Sequence, residues 1–311
     1  MPSDEVIVSH ESALLYHRAR RLAEARGNDL VVGSATDLLA LLGQPKLDVL
    51  VLDGHNRSRH TDVREHASSR ETLSFTTPIV PGLRISTPEL ALWQLAGVKH
   101  PTDVELMAYE ACGSYVPDNT STVGCICDLA PPCSTGSIAR IADELDGTVG
   151  RRRRARVRNL LASVVDAAAS PAEAKLCLAM VSPRLAGGFG LPKPILNSEV
   201  ILTGDARALT KKRTVMPDGL WAAEGLMYEY LGAIHASQKK MEEDAGRDNA
   251  LLAMGYQVMR ITRKQVNNYD LYRGLMETIR LNLHVRLGLP SPRILEQQYS
   301  LWKKLYRSNG D

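Results

Sequence analysis

The stretch Val215-Met-Pro-Asp-Gly-Leu-Trp221, followed by three turn residues and then Leu226-Met-Tyr-Glu-Tyr-Leu-Gly232, decides the fold of the second half of the chain. Each run has the β-branched, aromatic and aliphatic content of a short strand, and Ala223-Glu-Gly225 between them supplies turn chemistry. The pattern therefore predicts a β-hairpin that brings Asp218 on one strand close to Glu229 on the next.

Two carboxylates that converge at the centre of a sheet point to a hard divalent cation. Met227, Glu229 and Leu231 share one face of the predicted strand, and a carboxylate among them is costly to desolvate unless a cation or a donor meets it. Oxygen ligands suit such a cation, so the hairpin predicts a metal site held by Asp218 and Glu229. The alternative is a pair of unrelated acids, one at the mouth of a strand and one facing a surface arginine.

Length and composition favour a soluble, two-domain globular protein. The chain has 311 residues, of which 44% are hydrophobic and 23% charged, and this size allows two domains and a substantial core. No run approaches the ~18 apolar residues of a membrane span, and the acidic first five residues do not resemble a signal peptide. The five cysteines favour reduced thiols and a cytoplasmic protein. Among them Cys125, Cys127 and Cys133 lack the paired spacing that is typical of structural zinc sites.

Charge is distributed unevenly along the chain. Residues 1–150 contain 12 Lys/Arg and 20 Asp/Glu, a net charge of −8, whereas residues 151–311 contain 26 and 15, a net charge of +11. This asymmetry predicts two modules and makes the basic one a candidate for binding a polyanion; the alternative is two halves that simply attract each other. Six arginines lie within Arg151–Arg158, and on a helix they would cover nearly the whole circumference. We therefore expect an N-terminal α/β or α+β region at 1–150, a basic linker helix at 151–169 and a further domain at 170–311.

The second half shows a recognisable order of elements. Ser170-Pro-Ala-Glu173 has the pattern of a capping box that opens a helix. Beyond it we expect strands near 194–196 and 200–202, the hairpin, a helix over about 237–254, a strand over 256–261, and helices over about 263–287 and 293–307.

This order, with Glu173, Pro217-Asp218 and Glu229 in it, resembles the PD-(D/E)XK nuclease core, which is a mixed α/β restriction-endonuclease-like fold with a three-layer core. Further motifs look like the very-short-patch-repair (Vsr)-like branch of that superfamily, and the resemblance covers about residues 168–266. They are Glu229-Tyr-Leu-Gly232, His235, Asp244-x-x-Arg247 and Leu252-Ala-Met-Gly-Tyr-Gln-Val-Met-Arg260.

The resemblance implies Mg²⁺-dependent hydrolysis of DNA phosphodiester bonds, with Mn²⁺ as a second possible ion. Asp218 and Glu229 would bind the ion, Glu173 would contact it through water or orient the nucleophile, and His235 would act as general acid or base. Asp244 and Arg247 would form a structural pair on their helix. The expected phosphate-binding residues are Lys211, Lys212, Arg213, Lys239 and Lys240.

One departure leaves two functions open. The nuclease core normally has a Lys two residues after the Glu of its third motif, and the Vsr-like branch tends to have Asp there, but this chain has Leu231. The alternative function is therefore a catalytically inactive nucleic-acid-binding or antitoxin-like regulator that keeps the nuclease fold.

Residues 5–165 are similar to the corresponding region of AbiEi-type abortive-infection proteins, around Ser9-His-Glu-Ser-Ala13 and Ser86-Thr-Pro-Glu-Leu90. This second resemblance implies a role in abortive infection or toxin–antitoxin systems, and the expected endonuclease would serve defence against mobile elements or repair. The acidic charge of the N-terminal half leaves a third candidate function, a module that binds a partner protein.

Overall fold

The computed structural model describes residues 5–52, 61–145, 147, 151–232 and 238–307, and the side chains of 238–244 lie outside that description. The chain divides into two units, residues 1–166 and 167–311. Both contain helices and mixed parallel and antiparallel sheets, so the expected mixed α/β class is confirmed. In the described part of the chain, no helix is long and apolar enough to cross a membrane.

The first unit is built on a five-stranded mixed sheet in the order β3-β2-β1-β5-β4. The strands β2 and β3 are parallel, as are β1 and β5, whereas β1 with β2 and β4 with β5 are antiparallel. Valine and leucine side chains of the sheet pack against helices α1 and α2 to form the core. The strands are β1 (Val6–Val8), β2 (Leu47–Leu52), β3 (Val63–Ser68), β4 (Thr76–Val80) and β5 (Leu83–Ser86), with the short pair β6 (Val116–Pro117) and β7 (Cys125–Ile126). The helices are α1 (His10–Ala25), α2 (Ala35–Leu42), α3 (Pro88–Ala96), α4 (Pro101–Ala111), α5 (Thr135–Glu144) and α6 (Arg151–Ser163).

Two elements of this unit differ from what their composition indicates. Leu30–Val32 has strand-like composition, but it is an irregular segment with Val31 86% exposed, because no strand among the described residues pairs with it. Conversely, β3 lies in a polar stretch that lacks the apolar pattern of a strand. Its Arg64 and His66 point to the same face, where both contact Asp48 of β2 at 3.2 and 2.8 Å.

A buried polar cluster surrounds Asp48 and the start of α1. The ring of His10 stacks on that of His66 with centroids 3.7 Å apart, and Ser9 Oγ lies 2.9 Å from His10 Nδ1. Ser9 is the N-cap residue of α1, but its hydroxyl makes no capping bond because it contacts this ring instead. His10 has the left-handed φ of 50°, and its backbone N–H donates to Gln94 Oε1.

The arginine-rich helix α6 packs within the first unit. The guanidinium of Arg153 lies over the ring of Trp93 at 4.6 Å, and Arg156 donates to the carbonyls of Ala96 and Gly97 at the end of α3. Positive groups at a helix C-terminus satisfy carbonyls that have no partner inside the helix. The structure thus groups the basic helix, which the sequence suggested was a linker, with residues 1–166.

The cysteines of this unit lie in two close pairs. The sulfur atoms of Cys112 and Cys133 are 3.7 Å apart, and those of Cys125 and Cys127 are 3.6 Å apart. All five cysteines of the chain are free thiols. Contact with the Cys133 thiol and burial together raise the pKa of Cys112 far above its usual value.

The second unit is built on a four-stranded mixed sheet in the order β13-β12-β11-β8. Both β8 and β12 are antiparallel to β11, whereas β13 is parallel to β12. Helix α8 connects those two parallel strands. The strands are β8 (Ile195–Leu196), β9 (Val200–Ile201), β10 (Thr214–Val215), β11 (Gly219–Trp221), β12 (Leu226–Leu231) and β13 (Gln257–Thr262), of which β9 and β10 form a separate pair. The helices are α7 (Pro171–Val181), α8 (Gln238–Ala253), α9 (Arg263–Asn267), α10 (Tyr269–Asn282) and α11 (Pro292–Tyr306).

Candidate functional site: three carboxylates at a β-hairpin

The predicted hairpin is present, but its first strand is shorter than expected. Strand β11 begins at Gly219, directly after Asp218, and Gly219 pairs with Tyr228 in the antiparallel register. This register places Asp218 beside Glu229 on the neighbouring strand, as the sequence predicted. Val215 belongs instead to β10, which pairs with β9.

A glycine is required where the two strands meet. A Cβ atom on Gly219 would lie 2.0 Å from Cε1 of Tyr228, whose ring is fully buried. The tyrosine ring therefore covers the glycine and fixes the strand spacing next to Asp218. Burial raises the pKa of the Tyr228 phenol well above its usual value.

Asp218 experiences the charge of two other carboxylates. Its Oδ2 accepts a hydrogen bond from the backbone N–H of Tyr230 at 2.5 Å. Burial, together with the negative charges of Glu173 and Glu229, raises the pKa of Asp218 to about 7, although the Tyr230 N–H and Arg247 act in the opposite direction. The site thus concentrates negative charge in a half-buried position, which is unfavourable in the absence of a cation.

Glu229 is held by arginines. It is 8% exposed, and its Oε2 accepts a hydrogen bond from Arg247 Nη2 at 2.7 Å. Arg260 Nε lies 3.8 Å from the same oxygen, and both arginines also contact Asp248. The side chain is therefore oriented by a charged network in which one of its two oxygens is occupied.

Glu173 has a structural role as well as a charge. Ser170 and Glu173 form two hydrogen bonds with each other. The backbone N–H of Glu173 donates to Ser170 Oγ, and the Ser170 hydroxyl donates to Glu173 Oε1 at 2.8 Å. The backbone N–H of Ala169 and the amide of Asn197 both donate to Oε2, at 2.9 and 2.8 Å. These bonds hold the carboxylate at the start of α7, where the helix dipole favours negative charge.

Sequence reasoning missed three contributors. It paired Arg247 with Asp244, whose side chain lies outside the described residues, whereas the structure pairs Arg247 with Glu229. It did not assign Arg260, although the parallel register places Arg260 directly opposite Glu229. A carboxylate and an arginine at matching positions of two predicted parallel strands are the signal that could have found it. Asn197 carries no comparable signal, because its left-handed φ of 46° and its bond to Glu173 depend on tertiary packing.

Of the remaining predicted residues, the structure describes the side chains of three. Lys211, Lys212 and Arg213 are exposed in the segment before β10. His235 lies outside the described residues, and so do the side chains of Lys239 and Lys240 in α8.

Leu231, the last residue of β12, is 41% exposed. Its position two residues after Glu229 holds no polar group that could assist a reaction.

The oxygens available to a metal come from two residues. Among the described residues, no group of three or more His, Cys, Asp or Glu side chains is placed to hold a metal ion. Within the same residues, Asp218 Oδ1 and Glu229 Oε1 accept no hydrogen bond. Magnesium is commonly bound by one or two carboxylates and completes its shell with water and substrate phosphate. The two carboxylate oxygens without a donor, from Asp218 and Glu229, are therefore of the chemical type that Mg²⁺ accepts.

No protein-family model matches the chain, and no curated protein or solved structure matches it either.

Proposed function

We propose that the second unit is a Mg²⁺-dependent DNA endonuclease that hydrolyses phosphodiester bonds. The observation that carries the proposal is the half-buried position of Asp218 beside Glu229 in the hairpin register, where burial and the negative charges of Glu173 and Glu229 raise the pKa of Asp218 to about 7. Negative charge that is concentrated by the fold, and is unfavourable when no cation balances it, is typical of a site that binds a divalent ion.

The topology supports the same proposal. Helix α7, strands β8, β11 and β12, helix α8 and strand β13 follow one another in the order that a PD-(D/E)XK core of the Vsr-like branch would require. In the sheet, β12 is parallel to β13, and β11 is antiparallel to both of its neighbours. The two carboxylates lie at the hairpin in the middle of this sheet.

Each residue has a defined task in this proposal. Bound Mg²⁺ would lower the pKa of a coordinated water and neutralise charge on the phosphate oxygens. Asp218 and Glu229 hold the ion, and Arg247 orients Glu229 through the 2.7 Å bond. Glu173 contributes negative charge from a position fixed by Ser170 and Asn197. His235, Lys211, Lys212, Arg213, Lys239 and Lys240 remain the proposed proton-transfer and phosphate-binding residues.

Asp218→Asn tests the proposal, since it removes the charge and retains an oxygen that can accept the Tyr230 N–H. We expect loss of Mg²⁺-dependent cleavage of plasmid DNA, with DNA binding and folding preserved. Glu224→Gln is the matched control, because Glu224 is an exposed acid in the turn of the same hairpin, and it should cleave like the wild type. Equal cleavage by the Asp218 variant would refute the proposed metal site.

A non-catalytic nucleic-acid-binding or antitoxin-like regulator is the second candidate. Two observations favour it: Glu229 is already paired with Arg247, and Leu231 occupies the position where the nuclease core normally has a Lys. In that case the wild-type protein would bind DNA but would not cleave it with Mg²⁺ or Mn²⁺. Added Mg²⁺ would also leave its melting temperature unchanged, whereas metal binding to the folded state would raise it.

The proposal extends to cellular context. A cytoplasmic location is in keeping with five free thiols. Participation in abortive infection rests on the AbiEi-like sequence resemblance, a role in repair rests on the endonuclease function, and a protein partner rests on the acidic charge of the N-terminal half.

A further inference from the structure

A cavity of about 280 Å³ lies in the second unit, and none of the carboxylates of the candidate site lines it. Its polar wall is one face of α10, where Arg273, Glu277 and Arg280 follow the i, i+4, i+7 spacing of a single helical stripe. Arg184, from the short 3₁₀ helix after α7, also lines the cavity, and its charge acts on Glu277. Three guanidinium groups against one carboxylate leave two positive charges in excess.

Hydrogen bonds fix the position of the Arg280 guanidinium group in the wall of the cavity. Arg280 donates from Nε and Nη2 to Glu277 at 2.9 and 2.5 Å, and its Nη1 donates to the Val285 carbonyl. The hydrogen bond from Arg280 lowers the pKa of Glu277, and the charges of Arg184 and Arg273 act in the same direction. Among the described residues, neither Arg184 nor Arg273 forms an ion pair. These two guanidinium groups therefore retain donors for a ligand.

The loop that carries Arg184 is fixed by close packing. A Cβ on Gly188 would lie 2.0 Å from the Ser182 carbonyl oxygen, and one on Gly187 would lie 2.5 Å from the Gln297 carbonyl oxygen. The Gly188 carbonyl also accepts a hydrogen bond from Gln298 at 3.2 Å. A loop without room for a side chain is pre-organised, which reduces the ordering cost of binding.

Apart from Gln298, the remaining side chains that line the cavity are apolar. Phe189 is one of them, and its ring packs edge-on against Tyr272 with centroids 5.6 Å apart. Leu287, Leu289 and Pro290 are the others, and Leu289 is 96% exposed. An exposed leucine beside a cavity is a surface on which an apolar ligand group can be buried.

We propose that this cavity binds a small phosphate monoester with an apolar or aromatic body, the chemical class that includes nucleoside monophosphates. A phosphate monoester carries about −1.5 to −2 charges at pH 7, which matches the two excess positive charges, and arginine forks bind phosphate oxygens in pairs. The volume is at or slightly below the usual ~300–1,000 Å³ of small-molecule sites. A duplex would not enter it, although the 5′-phosphate of a strand end has the same chemistry.

Calorimetry on the full chain tests the site with phenyl phosphate, inorganic phosphate and phenol. Phenyl phosphate should bind at least tenfold more tightly than inorganic phosphate, and phenol should not bind. Arg184→Ala and Arg273→Ala should each weaken phenyl phosphate at least tenfold, and Leu289→Ser should weaken phenyl phosphate while leaving inorganic phosphate unchanged. Arg293→Ala, at an exposed arginine of α11 that does not line the cavity, is the control.

A ligand-free melting temperature equal to that of the wild type shows that an arginine variant is folded. Arg184→Lys keeps the positive charge but loses the planar guanidinium group, so it should bind phenyl phosphate with intermediate affinity. Unchanged binding in Arg184→Ala and Arg273→Ala, or equal affinity for phenyl and inorganic phosphate, would overturn the proposal. A 5′-phosphorylated dinucleotide that binds more tightly than a nucleoside monophosphate would identify a strand end as the source of the phosphate.

Discussion

At the scale of single residues, Asp218 links the candidate site to stability. Its pKa is raised from 3.8 to about 7 by burial and by Glu173 and Glu229. A raised pKa means that the folded state holds its proton more tightly than the unfolded state. The stability that this proton contributes is therefore complete below pH 4 and is lost as pH rises through 7.

Asp218→Asn should make the protein less sensitive to rising pH. Between pH 5 and pH 8 in EDTA, we expect the wild type to lose about 2 kcal/mol more of its free energy of unfolding than the variant does, since each pKa unit corresponds to ~1.4 kcal/mol. Urea denaturation at a series of pH values measures this difference. Added Mg²⁺ should recover stability in the wild type only, and parallel pH profiles for the two proteins would contradict the raised pKa.

His10 has the opposite pH dependence. Burial lowers its pKa to about 3, the charge of the stacked His66 acts in the same direction, and Asp48 opposes them. Folding therefore requires the neutral imidazole, and the stability contributed is complete above the ordinary value of 6.5 and is lost as pH falls below it.

His10→Asn isolates this effect, because asparagine tolerates the left-handed φ of 50° and does not titrate. From pH 7.5 to 5.5 the wild type should lose about 1 kcal/mol more stability than the variant. Chemical denaturation followed by circular dichroism measures the difference. An identical slope in both proteins would show that the ring is protonated without cost in the fold.

At the scale of elements, the hairpin requires a residue without a side chain at position 219. Gly219→Ala would place a methyl group 2.0 Å from the Tyr228 ring, which is buried and cannot move aside. We expect a loss of at least ~2 kcal/mol, typical of overpacking in a close-packed core. Gly274→Ala in α10 is the control, since nothing lies within 4 Å of its Cβ position, and it should stabilise the helix by roughly 0.5–1 kcal/mol. Both values follow from thermal melts.

The elements that the sequence predicted correctly are those with local causes. The Ser170–Glu173 capping pair and the apolar runs of β11, β12 and β13 specify their own conformation, and the structure has them where the pattern indicated. Leu30–Val32 has the composition of a strand but is irregular, since a strand needs a partner that composition does not reveal. The polar β3 is the complementary case, because its pairing with β2, and not its composition, accounts for its conformation.

The candidate site shows the same division. Asp218 and Glu229 were found because a hairpin is a short-range structure, and the register brings them together. The arginines that hold Glu229 come from α8 and β13, and their approach is set by a crossover that a linear pattern does not specify. The sequence pattern therefore predicted the two carboxylates, but not the arginines whose positive charges balance Glu229.

At the scale of the whole molecule, the charge asymmetry is smaller than the halves of the sequence suggest. Counted by structural unit, residues 1–166 contain 18 Lys/Arg and 21 Asp/Glu, a net charge of −3, and residues 167–311 contain 20 and 14, a net charge of +6. The difference arises because the six arginines of α6 belong to the first unit. Two of them, Arg153 and Arg156, are committed to contacts with α3 and its C-terminus.

DNA binding by the full chain should therefore depend on the exposed basic groups of the second unit. Replacing Lys211, Lys212 and Arg213 by glutamine should flatten the plot of log affinity against log salt by about one unit for each phosphate contact that is lost. Arg151→Gln with Arg158→Gln, at two exposed positions of α6, is the comparison and should change the slope less. Fluorescence anisotropy between 50 and 300 mM salt measures both, and equal slopes in the two variants would assign DNA binding elsewhere.

The parallel pairing of β12 with β13 also has a kinetic consequence. Residues paired between β11 and β12 are close in sequence, as Trp221 and Leu226 are, whereas Leu226 pairs with Gln257 only after α8 has crossed the sheet. Closing the longer loop costs more chain entropy before any contact compensates for it. The hairpin should thus belong to the nucleus from which the second unit folds. Leu220→Ala in the hairpin should therefore mainly slow refolding, and Ile261→Ala in β13 should mainly speed unfolding. Stopped-flow kinetics in urea measure both rates.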